Sequence, residues 1–200
     1  SFKITDPTDD AIVTNDEDRN RVIARYTKKE KDLYNSCSNR VEDFAQASKF
    51  WKHIANPDGT VNSAYGWLIW KNKSVGNKTK MTPWEWALNS LKADQDTRQA
   101  VLKFSTPDVH VAGIKDFICT MHGNFLIRDN KLHLSIVMRS NDLHKGLVYD
   151  LPWFCSLIHR MVDELRDTYP DLQPGSYTHT AHSMHIYERD EADILRMLGL

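Results

Sequence analysis

Between Asp116 and Arg139 two apolar runs flank the tetrapeptide Arg128-Asp129-Asn130-Lys131, and no other stretch narrows the possible folds as much. Strand-forming runs on either side of a polar Asp-Asn turn read as a β-hairpin. In the second run Leu132, Leu134, Ile136 and Met138 alternate with His133, Ser135, Val137 and Arg139. A period of two places the first set on an apolar face and the second on a more mixed one. A hairpin of this kind needs a partner to cover its apolar face.

The rest of the chain supplies covers and further strands. Asn20 to about Lys49 is charge-rich with scattered apolar positions and predicts one or two surface helices. Asn56-Pro57-Asp58-Gly59 is a turn. Thr82-Pro83-Trp84-Glu85 combines an N-cap, a proline at N1 and a glutamate at N3. It predicts a helix to about Leu91 with Trp84, Leu88 and Leu91 on one face. Arg98 to Phe104 resembles a strand. A second long helix is expected to start near Asp150, as an N-cap ahead of Pro152, and to stop before Pro170. Its apolar stripe is Leu151, Phe154, Ile158, Met161, Val162 and Leu165. Tyr177 to Tyr187 reads as a strand and Glu188 to Leu198 as a closing helix. The sum is one α+β domain over residues 1–200, with a mixed or antiparallel sheet packed by helices.

Bulk properties exclude several function classes. A formal charge of −1 gives no support to nucleic-acid binding, which usually leaves a basic excess. No apolar run approaches the roughly 20 residues that span a bilayer. Ser1 to Asp10 is acidic and polar, unlike a signal peptide. Three cysteines, Cys37, Cys119 and Cys155, without tight spacing disfavour a disulfide framework or a zinc ribbon, so no metal is expected. The expected location is the reducing cytoplasm.

Cys119 is the candidate nucleophile. A free cysteine is otherwise a small core residue. Here Arg139 follows twenty residues later across the hairpin. Folded back, its guanidinium would favour the thiolate. Arg139 and Ser140 could together grip a phosphate; otherwise Arg139 is a surface charge at a strand end.

These residues also carry a resemblance. Cys119, then Arg139-Ser140-Asn141-Asp142, then Gly146 and Asp150 resemble the core pattern of the thymidylate synthase family. Further matches keep the same order: Ser63-Ala64-Tyr65-Gly66-Trp67, Asp96-Thr97-Arg98, and Gly175 through His185-Ile186-Tyr187. The resemblance spans roughly residues 28 to 190. It implies the family's fold, with a sheet face at a homodimer interface, and 5,10-methylenetetrahydrofolate as co-substrate. It also implies Cys119 as the group that adds to C6 of a pyrimidine nucleotide, and Arg139, Ser140 and a partner subunit's Arg98 as phosphate ligands. His185 and Tyr187 would hold the sugar, Asp142 would face the pterin, Tyr65 would help order a water at C5, and Trp51 would pack near the folate unless it is simply core.

The departures from the family pattern are more specific. Asp150 stands where the synthases carry the asparagine that reads uracil. A carboxyl group can accept from the cytosine amino group and, holding a proton, can also meet N3. Asp150 therefore favours cytosine, unless it is only a helix cap. This variant, with Thr120 after the cysteine and the strings Leu126-Ile127-Arg128-Asp129 and Met138-Arg139-Ser140-Asn141-Asp142, resembles the phage-type branch that hydroxymethylates dCMP. In that branch a glutamate orders the water that adds to the methylene intermediate, and Glu30 within Lys29-Glu30-Lys31-Asp32-Leu33-Tyr34 matches its segment. Gln99 replaces a second arginine, the family's N-terminal arginine loop is missing or displaced, and the chain ends soon after Tyr187. Methyl transfer, a uracil or ribonucleotide substrate, and a non-catalytic binder of nucleotide or folate remain the alternative readings.

Overall fold

The computed structural model describes residues 1–7, 14–73 and 80–200; part of the acidic stretch Ser1 to Asp10 lies outside them. Five strands form one sheet in the order β1-β5-β4-β3-β2: β1 Phe2–Ile4, β2 Val101–Lys103, β3 Thr120–Arg128, β4 Lys131–Asp142 and β5 Gln173–His185. The hairpin predicted from the sequence is β3–β4, with Leu134 opposite Phe125 and Ile136 opposite Gly123. Asp129 and Asn130 take left-handed backbone at its tip, the conformation these residues tolerate best. β4 and β5 pair in parallel while every other pair is antiparallel.

The parallel pair requires a crossover, and α6 Val148–Leu165 provides it. All six residues of its expected stripe are buried. They cover the sheet face that carries Phe125, Leu134, Ile136 and Tyr177. Each such side chain stabilises the fold by about 1.5–3 kcal/mol. The opposite face, with Asn124, Ser135, Val137 and Thr178, is only half-buried. α5 Pro83–Ala93 begins with the complete capping box read from Thr82 and Glu85. α1 Glu17–Ser36, α2 Val41–Ala47, α3 Trp51–Ile54, α4 Tyr65–Trp70 and α7 Glu191–Leu198 complete the element list. No helix among the described residues is long and apolar enough to cross a membrane.

Four expectations need correction. Asp150 does not cap α6. A π-helical turn, Leu143–Leu147, runs straight into the helix. Its cap is Asp142, whose Oδ1 accepts from the backbone N–H of His144 at 2.8 Å and of Lys145 at 3.1 Å. The strand expected over 98–104 shrinks to Val101–Lys103, and the one expected over 177–187 shifts to Gln173–His185. The charge-rich segment after Asn20 is not all surface, because α1 buries Ile23, Thr27, Glu30 and Tyr34. Two of those four are polar, so the buried stripe carried a weak hydrophobic signal.

Candidate active site

The site residues converge where β3 begins and where β4 and β5 end. The backbone N–H of Arg139 donates to the carbonyl of Cys119 at 2.9 Å. The guanidinium then folds back under the loop before β3. Its Nε donates to the Ile118 carbonyl at 3.1 Å, and Nη2 donates to the Phe117 carbonyl at 2.7 Å and lies 3.5 Å from Cys119 Sγ. It also stacks on Phe117, 4.9 Å from the ring centre. Arg139 thus builds the loop that presents the thiol, leaving Nη1 available for an anion.

The thiol itself departs from expectation. Burial pushes the Cys119 thiol up; Arg139 pulls the other way, and the carboxyls of Asp150 and Asp116 reinforce the rise. The guanidinium acts in the expected direction, but burial outweighs it.

Asp116 ties this loop to the next element. Its Oδ2 accepts from the backbone N–H of Asn62 at 2.6 Å and of Ser63 at 2.8 Å. Tyr65 opens α4 two residues later, and its hydroxyl lies by Thr120, near Cys119 and Asp150. Gly66 lets α4 sit directly on α1: a Cβ there would fall 1.7 Å from the Tyr34 carbonyl oxygen. The Tyr34 and Tyr65 rings consequently stack at 5.3 Å.

Glu30 on α1 and Asp150 on α6 lie close enough for their charges to interact. Burial, with the Asp150 charge next, raises the Glu30 carboxyl to about 8, while the Tyr26 and Tyr34 hydroxyls draw it down. Burial raises Asp150 to about 7 against the hydrogen bond from Asn141. Trp51 is 7 % exposed, its ring held among Phe44 and Phe50, and its Nε1 donates to Tyr26 Oη at 3.4 Å. Trp51 therefore packs in the core and is linked to Glu30 through Tyr26.

Ser140 and His185 meet on the neighbouring strands, with Oγ and Nδ1 3.5 Å apart, and Asp142 is the register partner of His185. Tyr187 lies edge-on to His185, 5.2 Å between ring centres. Asp142 keeps Oδ2 unbonded beside Leu143, which is 45 % exposed. Arg98 is the exception. It is exposed in a bend by the Arg128 end of β3, where Arg128 and Asp96 approach to 3.9 Å. The nine residues of β3 put it roughly 27 Å from Cys119.

Sequence reasoning missed Tyr26, Tyr34 and Asn141 as site residues. The first two lie four residues either side of Glu30, hence on its face of α1, a signal that was available. Asn141 sat unremarked between Ser140 and Asp142.

The family model for thymidylate synthase matches residues 19–199. A deoxycytidylate 5-hydroxymethyltransferase of Enterobacteria phage T4 is 30 % identical over 171 residues, 82 % of this chain and 67 % of that protein. A deoxyuridylate hydroxymethyltransferase of Bacillus phage SP01 is 34 % identical over 136 residues, 64 % of this chain and 34 % of that one. The solved thermostable thymidylate synthase A from Bacillus subtilis superposes with a TM-score of 0.74 at 20 % identity, covering 98 % of this chain and 68 % of that chain. The fold, the order of the motifs and the matched span agree: the chain belongs to the thymidylate synthase family of one-carbon transferases.

Proposed function

We propose that the protein hydroxymethylates C5 of dCMP, with 5,10-methylenetetrahydrofolate as co-substrate. The observation that carries this reading is Asp150. It is a crowded carboxyl group, close to Cys119 and Tyr65, that burial holds at about 7. Near neutral pH it is divided between two forms. The protonated form offers a donor and an acceptor together, the complement of the cytosine N3 and amino edge. A mismatched base would leave a buried polar group unpaired, at about 1–3 kcal/mol.

The roles of the remaining residues follow from their positions. Cys119 Sγ adds to C6 of the ring, which makes C5 nucleophilic. Because burial holds the thiol up, thiolate formation depends on Arg139 and on the ring drawing electrons as the bond forms. Arg139 Nη1 and Ser140 Oγ face the nucleotide phosphate, and His185 with Tyr187 the sugar. Asp142, with Leu143 beside it, would hold the folate, which when bound supplies the one-carbon unit as an electrophile. Tyr65 orders the water that takes the C5 proton. Glu30, in contact with the Tyr26 and Tyr34 hydroxyls, positions the water that completes the hydroxymethyl group as Cys119 Sγ leaves C6, and accepts the water's proton.

The test is product identity. The protein is incubated with methylenetetrahydrofolate and either dCMP or dUMP, the nucleotide is weighed by mass spectrometry, and dihydrofolate formation is followed by absorbance. Hydroxymethyl-dCMP without dihydrofolate is expected. A methylated nucleotide with dihydrofolate would mean hydride transfer instead. Product from neither nucleotide would move the reading to a ribonucleotide substrate or a binder. Cys119→Ser should abolish turnover and leave dCMP binding within about threefold, measured by calorimetry.

A further inference from the structure

Asn141 has been given no role so far, and its surroundings are unusual. It lies on β4 between Ser140 and Asp142 and is only 3 % exposed. Its Nδ2 donates to Asp150 Oδ2 at 2.7 Å. Its Oδ1 is buried without a partner among the described residues, a cost that a core residue with no other duty would not carry. The π-helical turn clamps the pair from above. A Cβ on Gly146 would stand 3.1 Å from Asn141 Nδ2 and 3.6 Å from Asp150 Oδ2. The amide and the carboxyl group therefore have little room to reorient.

We infer that Asn141 is a positioning residue for base recognition: by donating to Oδ2 it keeps that oxygen an acceptor and places the Asp150 proton on Oδ1. The inference rests on the reading of Asp150 as the cytosine contact. A carboxylic acid is otherwise ambiguous. With its proton on one oxygen it complements cytosine, and with its proton on the other it complements the reversed pattern of uracil. A carbonyl oxygen is a better acceptor than a hydroxyl, so the Asn141 N–H keeps the proton on Oδ1, and this arrangement reads cytosine when Oδ2 faces the amino group. The same bond is what draws the Asp150 carboxyl down against its burial. The titratable groups that face Asp150 are Glu30 and Tyr34 from α1, Tyr65 from α4, Cys119 ahead of β3 and Tyr177 from β5. None of them hydrogen-bonds Oδ2 in place of Asn141.

The experiment compares wild type with Asn141→Ala and with Asn141→Leu, which keeps the side-chain volume without the donor. kcat/KM is measured for dCMP and dUMP across pH, with Tm as a check on folding. In both variants the preference for dCMP over dUMP should fall about tenfold, and the alkaline limb of the dCMP profile should move to higher pH. In wild type, independently of any variant, the Asn141 side-chain amide resonance should titrate together with the Asp150 carboxyl carbon. A wild type specific for dCMP whose variants keep both preference and alkaline limb overturns the role of Asn141 alone. An Asn141 amide that ignores the Asp150 titration does the same, even if neither variant folds. A wild type that prefers dUMP overturns the cytosine reading and this inference with it.

Discussion

Two carboxyl groups that feel each other's charge cannot titrate independently, and Glu30 and Asp150 are such a pair. Asp150, at about 7, ionises ahead of Glu30, at about 8, so the form the reaction uses, with Glu30 ionised and Asp150 protonated, is the minor tautomer of the singly ionised pair. Below about 7 both groups hold protons and Glu30 cannot accept one from water. Above about 8 both are ionised and Asp150 has no proton for N3. The dCMP profile of kcat/KM should therefore be bell-shaped with its maximum between these values; a profile flat from pH 6 to 9 would contradict the assignment. The same shifts bear on stability. Folded values above the unfolded ones of about 3.9 and 4.3 mean a stabilising contribution that is complete below about pH 4. It is lost as pH rises through about 7 and 8. Asp150→Asn removes part of this loss. Its Tm should exceed that of wild type by several degrees at pH 8.5, since about 1 kcal/mol moves Tm by about 2–4 °C in a chain this size. The gain should shrink as pH falls and vanish below about pH 4, as differential scanning calorimetry would show. At this scale the sequence made Cys119, Arg139 and Asp150 legible, because motif order names residue types. It could not reveal that burial outweighs the guanidinium at the thiol, because desolvation depends on neighbours that are distant in the chain.

Among the elements, those whose signal is local were readable and those defined by their neighbours were not. The Thr82–Glu85 capping box and the Asp129-Asn130 turn are complete within a few residues, and both are present as expected. The start of α6 was misplaced because Asp142 and Asp150 are both plausible caps before an apolar stripe. The π-helical turn between them has no strong sequence mark. The inner face of α1 was hidden because a stripe of Ile23, Thr27, Glu30 and Tyr34 mixes core and chemistry. The contact between α1 and α4 is tight enough to test. Gly66→Ala sets a methyl group against the Tyr34 backbone, so one helix must shift. A loss of about 3 kcal/mol or more is expected in urea unfolding, at the upper end of overpacking costs. Activity should also fall, because Tyr65 and Glu30 ride on the two displaced helices. A loss under about 0.5 kcal/mol would mean that the two helices slide apart freely.

For the whole molecule, the α+β class and the sheet packed by helices were apparent from the pattern of strands and stripes. The parallel pairing of β4 with β5 was not, because nothing local distinguishes it from an antiparallel return. Arg98 sits at the wrong end of the sheet to serve its own Cys119, whereas the half-buried sheet face offers a surface on which a second copy could bring its Arg98 in. Mixing inactive Arg98→Ala with inactive Cys119→Ser under subunit exchange should then restore roughly a quarter of the wild-type rate, since half the dimers are mixed and each has one intact site. No recovery would remove Arg98 from the site. The strand order has one more effect. β5 lies between β4 and β1, and it joins Tyr177 to Ile4 and Asp142 to His185. One partner of the central strand β4 thus comes from residues 173–185, while one edge of the sheet comes from residues 2–4. During synthesis on a ribosome, the β3–β4 hairpin emerges with one side of β4 unpaired and waits for α6 and β5 to follow. A bare strand edge of this kind templates misassociation between nascent chains, and so many distant pairings imply slow closure.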